Sequence, residues 1–242
     1  MTLGRRLKAI EAMVGSGYSH IWDCCCDHGL LGAALITRRA APHIHFVDIV
    51  PSLIANLEQQ LNRFFPDNSP AGDMETATSQ WHLHCANLID LPLESFGGKH
   101  LLIIAGVGGD LSTDFIAALS ERHPKLDLDF ILCPIHHQFK LRQELIARRF
   151  HLRQEILIEE NKRFYEILWV SSNPEGTVPE SPVSPVGDSL WRGENPAHEK
   201  LVLQYLRTKL NHYQRIQSRQ GNEISQIINA YHNVYKTLKP ST

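Results

Sequence analysis

One ten-residue stretch, Ile21-Trp22-Asp23-Cys24-Cys25-Cys26-Asp27-His28-Gly29-Leu30, constrains this chain more than any other. A mostly apolar run meets a tight turn and passes into a helix expected over residues 30–37. Such a corner opens the nucleotide-binding half of a doubly wound α/β domain. In a dinucleotide site the second glycine of the turn lets backbone approach a pyrophosphate held at the helix N-terminus. Asp27 takes that place here, and its carboxylate repels a pyrophosphate. S-adenosylmethionine has the adenosine without phosphates, and its sulfonium and amino groups are cationic. The acidic turn therefore suits that donor and opposes NAD; an ordinary strand–glycine–helix turn is the competing reading.

The rest of the chain keeps an α/β rhythm. Leu3, Leu7, Ile10 and Val14 recur at helical spacing up to the Gly15-Ser16-Gly17 breaker. Strands are expected over 20–25, 43–47, 81–85, 101–105 and 130–133, with helices over 52–64, 112–120 and 138–149 between and after them. The polar stretch 66–79 reads as a loop. Two further strands, 155–159 and 164–170, form a hairpin. Read as five strand–helix units followed by an antiparallel hairpin, this is the order expected of a Rossmann-like α/β sheet of the class I methyltransferase kind.

Residues 172–189, rich in proline and serine, read as a linker between a domain over 1–171 and a helical segment over 190–242. In that segment Leu203, Leu206, Leu210, Tyr213 and Ile216 form one apolar stripe. Ile224, Ile227, Ile228, Tyr231, Tyr235 and Leu238 form a second, and the polar stretch 217–222 divides them. Two amphipathic helices around a short break make a coiled-coil-like α-helical hairpin arm.

At 43% hydrophobic and 21% charged residues the composition excludes disordered and fibrous classes. No apolar run reaches the ~20 residues of a membrane span, and the N-terminus lacks a signal peptide pattern, so a cytoplasmic location is expected. Five cysteines, three of them consecutive, suit buried thiols better than disulfides. From Leu190 onward eight basic residues face three acidic ones, although the whole chain carries −2. A basic arm on an acidic body suits an anionic partner, with a solvated helix face as the alternative. The pairs His43/His45, His82/His84 and His136/His137 lack the companion ligands of a zinc site, so no metal is expected.

Over almost its whole length the chain resembles the bacterial TrmK-type methyltransferases, which methylate N1 of an adenine in the D-arm region of tRNA. Arg5-Arg6-Leu7-Lys8-Ala9-Ile10 resembles the family's basic first helix, and Asp23 through Gly29 its Asp-Ile-Gly-Ser-Asp-His-Ala turn. Ile104-Ala105-Gly106-Val107-Gly108-Gly109 is similar to its Ile-Ala-Gly-Met-Gly-Gly segment, the most specific match. Arg163-Phe164-Tyr165-Glu166-Ile167 and the arm from Glu194-Asn195-Pro196 resemble it too. The chain departs at Cys25, where the family has glycine, at Ala86-Asn87 in place of Gly-Asp, and at His136-His137, where the family is richer in amides.

The resemblance implies S-adenosyl-L-methionine as cofactor, bound by Asp23, Cys25, Asp27, Gly29, Asp48, Ile49, Ala86, Asn87, Ala105 and Gly106. Asp48 is expected on the ribose hydroxyls, or else as a helix N-cap; Asn87 is expected on the adenine edge, or else as a turn residue. Asp27, His28, Gly106 and Gly108 are the candidate catalytic residues. Arg5, Arg6, Gly108, Gly109, His136 and His137 are expected to hold the substrate. The glycines would let a flat base come close to the donor methyl, or would simply serve turn geometry. The implied partner is tRNA, with no DNA or membrane, for a monomer or weak dimer. Methylation of another RNA nucleotide or small molecule, and a non-catalytic donor- and RNA-binding protein, are the alternatives.

Overall fold

The computed structural model describes residues 3–66, 79–173, 181–193 and 195–238, with the backbone alone over 218–223. Its sheet has eight strands in the order β3-β2-β1-β4-β5-β7-β6-β8. Strands β1 (His20–Cys24), β2 (His43–Asp48), β3 (Gln80–Cys85), β4 (His100–Ala105) and β5 (Leu128–Cys133) are parallel. The hairpin of β6 (His151–Glu160) and β7 (Arg163–Ser171) closes the sheet antiparallel, and the short β8 (Ser181–Pro182) adds to β6. The strand order reverses between β1 and β4, and open α/β sheets bind ligands at the carboxyl ends beside such a point.

Successive strand residues face two separate cores. Ile21, Ile44, Phe46 and Leu101 pack with α1 (Arg5–Met13), α2 (Leu30–Thr37) and α3 (Pro51–Phe64). Trp22, Leu102, Ile104 and Phe130 pack with α4 (Gly109–Arg122) and α5 (Gln138–Ala147). Covering on both faces explains why β4 is apolar throughout its middle.

The final helical segment, α6 (Pro196–Leu238), folds back on itself. In a straight helix Tyr213 and Tyr231 would lie about 27 Å apart, yet their rings stack at 5.9 Å. Gln217 Nε2 likewise reaches Ser225 Oγ at 3.3 Å. The arm is therefore the expected hairpin, although its first stripe is rotated: Val202 and Tyr205 are buried and Leu203 is only half-buried. Within the expected linker, 174–180 lie outside the described residues, as do 67–78 of the expected loop and Glu194 at the arm's expected start. The remainder of the linker is built into the fold. Ser181–Pro182 pairs with β6, and Val183, Val186 and Leu190 are buried.

A buried ion cluster fastens these parts together. Arg142 of α5, fully buried, donates from Nε to Glu166 (2.8 Å) and from Nη2 to Glu155 (2.6 Å). Glu155 also accepts the backbone N–H groups of Asp188, Ser189 and Leu190 at 2.8, 2.8 and 3.3 Å. The Tyr205 hydroxyl of the arm donates to Glu166. One guanidinium thus ties α5, both hairpin strands, the 188–190 turn and the arm.

The crossing from β3 to β4 corrects the reading of five strand–helix units, because two 3₁₀ turns (Leu88–Asp90 and Leu93–Ser95) replace the helix. On that side of β1, β2 and β3 lies a layer of imidazoles with Trp22 and Phe96. His20 Nε2 lies 3.0 Å from the Gly97 carbonyl, which can only accept. The His20 Nδ1 must then accept from His45 Nε2 at 2.9 Å, and His45 Nδ1 from His84 Nε2 at 3.0 Å. Trp22 donates to His100 Nδ1 (3.1 Å), and His100 Nε2 faces the Phe96 carbonyl (3.2 Å). Each ring that accepts in this way, His20, His45 and His100, is neutral. Burial, with His100 and His43 beside it, lowers His20 to about 4. Burial, then His82 and His84, holds His45 well below the usual imidazole range.

Two outcomes test these arrangements. Arg142→Met leaves two buried carboxylates without their cation and should lower unfolding free energy by about 3–5 kcal/mol in urea titrations. The histidine layer should make the fold acid-sensitive. Its folded-state rings bind protons only well below the ~6.5 of an unfolded histidine. The unfolded chain therefore takes up protons first, and stability falls as pH drops from about 6.5 towards 4. Urea midpoints measured from pH 8 to 5 should show this slope, and His45→Gln should flatten it.

Candidate active site at the carboxyl ends of the parallel strands

The turn after β1 holds three residues in the left-handed region: Cys25 (φ 56°), Asp27 (φ 51°) and Gly29 (φ 65°). For the two that are not glycine this conformation costs of order 1 kcal/mol each, strain that clusters at functional sites. Two carboxylates hold the turn in place. Asp23, buried at the end of β1, accepts the Gly32 N–H at 2.9 Å. Burial raises its carboxyl to about 7, Asp48 adding to the rise and the Gly32 N–H opposing it. Asp48, at the end of β2, accepts the Asp27 N–H (3.1 Å) and the Val50 N–H (3.0 Å). Val50, not Asp48, is the N-cap of α3, so the capping alternative for Asp48 falls away.

Around this turn Asp27 and His28 are exposed, with His28 Nε2 3.6 Å from the Asp27 carboxylate. Ile49 presents an apolar side chain that is 68% exposed. The Ala86 N–H donates to the Asp48 carbonyl (3.1 Å), which draws the end of β3 to the same mouth. Asn87 is exposed, and its Oδ1 accepts the Ile89 N–H at 3.3 Å, so the amide oxygen serves the turn. Sequence reasoning passed over Gly32, where a Cβ would fall 2.2 Å from the Phe46 ring. Its bareness lets α2 pack closely on β2, and a glycine early in the helix after the turn was the available signal.

On the other side of the switch point Gly106 follows Ala105 at φ 88° and donates to the Cys133 carbonyl at 3.2 Å. A Cβ on Gly106 would lie 3.5 Å from Arg6 Nη1. Arg6 is carried there by α1, its guanidinium over the Tyr165 ring at 5.2 Å and its backbone N–H on Glu160. Arg5 lies apart, in a groove with Glu159, His198 and Gln204. At Gly108 the space a side chain would need is filled by the His136 ring, 2.2 Å from an added Cβ. The bareness of Gly108 therefore accommodates this chain's own imidazole. Gly109 donates to the His136 carbonyl (2.9 Å), and a Cβ there would strike the His137 carbonyl at 2.5 Å.

The structure thus gathers Asp23, Cys25, Asp27, His28, Gly29, Asp48, Ile49, Ala86 and Asn87 on one side. Arg6, Ala105, Gly106, Gly108, Gly109, His136 and His137 gather on the other. The first group is rich in carboxylate, and the turn from Cys25 to Gly29 holds no lysine or arginine. That chemistry fits a ligand with hydroxyls and cationic groups and opposes a pyrophosphate.

A family model described as a methyltransferase domain matches residues 3–168. No curated protein matches the chain. M. capricolum TrmK, solved with S-adenosyl-homocysteine, is similar at 17% identity and a TM-score of 0.74, over 99% of this chain and 100% of that one. The B. subtilis M1A22 tRNA methyltransferase TrmK is similar at 20% identity and a TM-score of 0.66, over 96% and 98%.

Gly32→Ala tests the packing beneath the turn. The added methyl must displace the Phe46 ring, and overpacking of this kind costs about 1–3 kcal/mol. Thermal unfolding should show the loss; an unchanged transition would mean that α2 can lift away from β2 freely.

Proposed function

The chain belongs to the methyltransferase-domain family, and from that premise we propose that it transfers a methyl group from S-adenosylmethionine to N1 of an adenine in the D-arm region of tRNA. The acidic left-handed turn carries the donor half of this reading. When bound, S-adenosylmethionine supplies an electrophilic methyl group on a sulfonium and leaves as a neutral thioether. Asp48, braced by two backbone N–H groups, has further acceptor capacity for ribose hydroxyls. Asp23 and Asp27 make the methionine end electronegative, and Ile49 offers an apolar surface to the adenine ring. Ala86, Asn87 and Ala105 complete the cradle.

The acceptor half rests on the basic arm and on the likeness to the tRNA methyltransferases, which extends over it. Arg192, Lys200, Arg207, Arg215 and Lys236 are exposed on or beside the hairpin, where phosphate contacts would place a folded RNA. Arg6, held beside Gly106, is positioned to steer the acceptor strand. Adenine N1 already has a lone pair, so alignment of acceptor and donor supplies most of the rate. Asp27 and His28 flank the transferred methyl, while Gly106 and Gly108 shape the acceptor side. Among the described residues no helix is long and apolar enough to cross a membrane. The reading places the enzyme in the cytoplasm as a monomer or weak dimer.

The test is methyl transfer from labelled donor to tRNA, with the product mapped by primer extension. A stop at a D-arm adenine is expected. Asp48→Ala should weaken donor binding in calorimetry by about 1–3 kcal/mol. Label confined to another nucleotide would overturn the acceptor assignment, and donor binding without turnover on any RNA would favour a binding protein.

A further inference from the structure

Beyond the switch point the chain carries a trio that the donor site does not use: Asp110, His137 and Lys140. Asp110 stands in the first turn of α4, and His137 is the N-cap of α5. Their backbones are laced by the bonds from Gly109 N–H to the His136 carbonyl and from Ile135 N–H to the Val107 carbonyl (3.0 Å). His137 is itself left-handed (φ 56°), a strained state for a residue with a side chain. His136, whose ring fills the space above Gly108, packs against the His137 ring at 4.4 Å. The imidazole is thus fixed from three directions.

The contact it makes determines its tautomer. His137 Nδ1 is hydrogen-bonded to the Asp110 carboxylate. Lys140 Nζ, 2.7 Å from the other oxygen, and the His137 contact hold that carboxyl below its ordinary range, so it only accepts. Nδ1 therefore carries the proton, and in the neutral ring the Nε2 lone pair is free. His137 is half exposed and opens on a cleft of about 630 Å³ between α5 and the arm, which Asp110, Lys140, His212 and Tyr213 also line. The groups facing the imidazole are Asp110 from α4, Lys140 from α5, His136 from its own turn and His212 from the arm. Because β4 lies between β1 and β5, the turn that carries His137 stands two strands from the donor turn, and His136 beside it packs over Gly108.

We propose that His137, oriented by Asp110, is the acceptor-side base: its Nε2 accepts a hydrogen bond from the exocyclic amine of the target adenine and takes that proton on methylation. The inference rests on the function proposed above and gives its acceptor side a specific residue. The N1 lone pair forms the new N–C bond as the methyl–sulfur bond breaks, its electron pair staying on sulfur. The base thereby gains a positive charge. An N6 proton passes to His137 Nε2, leaving a neutral imino base and an imidazolium stabilised by the Asp110 carboxylate. The imidazolium then returns the proton to water. A charge created in the site is thus moved to a residue with a counter-ion already in place.

The experiment combines imidazole nitrogen NMR with single-turnover pH profiles, using the full-length protein, S-adenosylmethionine and tRNA. The NMR should show the Nδ1–H tautomer for His137. The wild-type rate should fall on the acid side as His137 protonates. His137→Gln can accept the amine but cannot take its proton, so it should lose roughly a hundredfold in rate, keep its donor affinity and lose the acid limb. Asp110→Asn removes the carboxylate that orients the ring, so it should weaken the Nδ1–H tautomer preference in NMR and lower the single-turnover rate. A folded His137→Gln enzyme with the wild-type rate and acid limb overturns the proposal, as does the opposite tautomer. So does activity abolished by a chelator and restored by Co²⁺, which would assign Asp110, His136 and His137 to a metal. If the mapped product is not an adenine, the proposed function fails, and the proton-transfer role of His137 is still decided by its variant on the acceptor found.

Discussion

Everything that projects from the sheet's antiparallel edge depends on the buried guanidinium of Arg142. A single charge there meets two carboxylates on adjacent strands, and each carboxylate reaches onward, Glu155 to the 188–190 backbone and Glu166 to Tyr205. Buried ion pairs are weak sources of net stability, because desolvation offsets most of the attraction. What this one supplies is geometry, since its directional bonds fix α5, both hairpin strands and the arm relative to one another. The arm is consequently docked on the domain at a defined angle. The cleft between α5 and the arm has its shape because Tyr213, Ile216 and Ile224 are held opposite His137 and Lys140. A hydrophobic contact alone, being non-directional, would let the hairpin slide.

The two sides of the candidate site are fixed by different means. On the donor side, carboxylates grip backbone N–H groups: Asp23 takes Gly32 and Asp48 takes Asp27 and Val50. This holds Cys25 and Asp27 in left-handed conformations that neither would choose. On the acceptor side, backbone grips backbone, and the bareness of Gly108 and Gly109 lets the β5 turn press against the β4 turn. Cys25 and His136-His137 both depart from the family the sequence resembles, yet each is locally consistent. The first is braced through its neighbours by Asp48, the second fits into space that only glycine leaves.

How much of this could be read from the chain depends on the range of the interaction. The strand runs, the hairpin and the helix over Leu30–Thr37 follow from short-range periodicity, and they emerge as expected. The stretch after Asn87 breaks the strand–helix rhythm, because the 3₁₀ turns at Leu88–Asp90 and Leu93–Ser95 on either side of Pro92 bury Leu88, Leu91 and Leu93 without an α-helix. Val183, Val186 and Leu190 lie in a proline-rich stretch, and nothing local announces that they are buried. Their partners come from elsewhere in the chain. The pairs His43/His45 and His82/His84 are visible as alternating residues, but their meaning is set by registers between β1, β2 and β3. Nothing local marks Glu155, Glu166 and Arg142 as partners; the fold brings them together.

The same distinction bears on the acceptor base. Asp110 and His137 are 27 positions apart, on the starts of two helices. Neither residue is distinctive alone, since an Asp in the first turn of a helix is ordinary electrostatics. Only the lacing of the β4 and β5 turns converts them into an oriented pair, and that lacing needs Gly109 to be bare. The most specific sequence match, Ala105-Gly106-Val107-Gly108-Gly109, therefore acts chiefly through backbone. It brings the β5 turn close against the β4 turn, with His136 packed over Gly108. Positions 136 and 137 hold imidazoles, one packed over glycine and one paired with a carboxylate, so the proposed acceptor-side chemistry belongs to residues outside the motif that positions them.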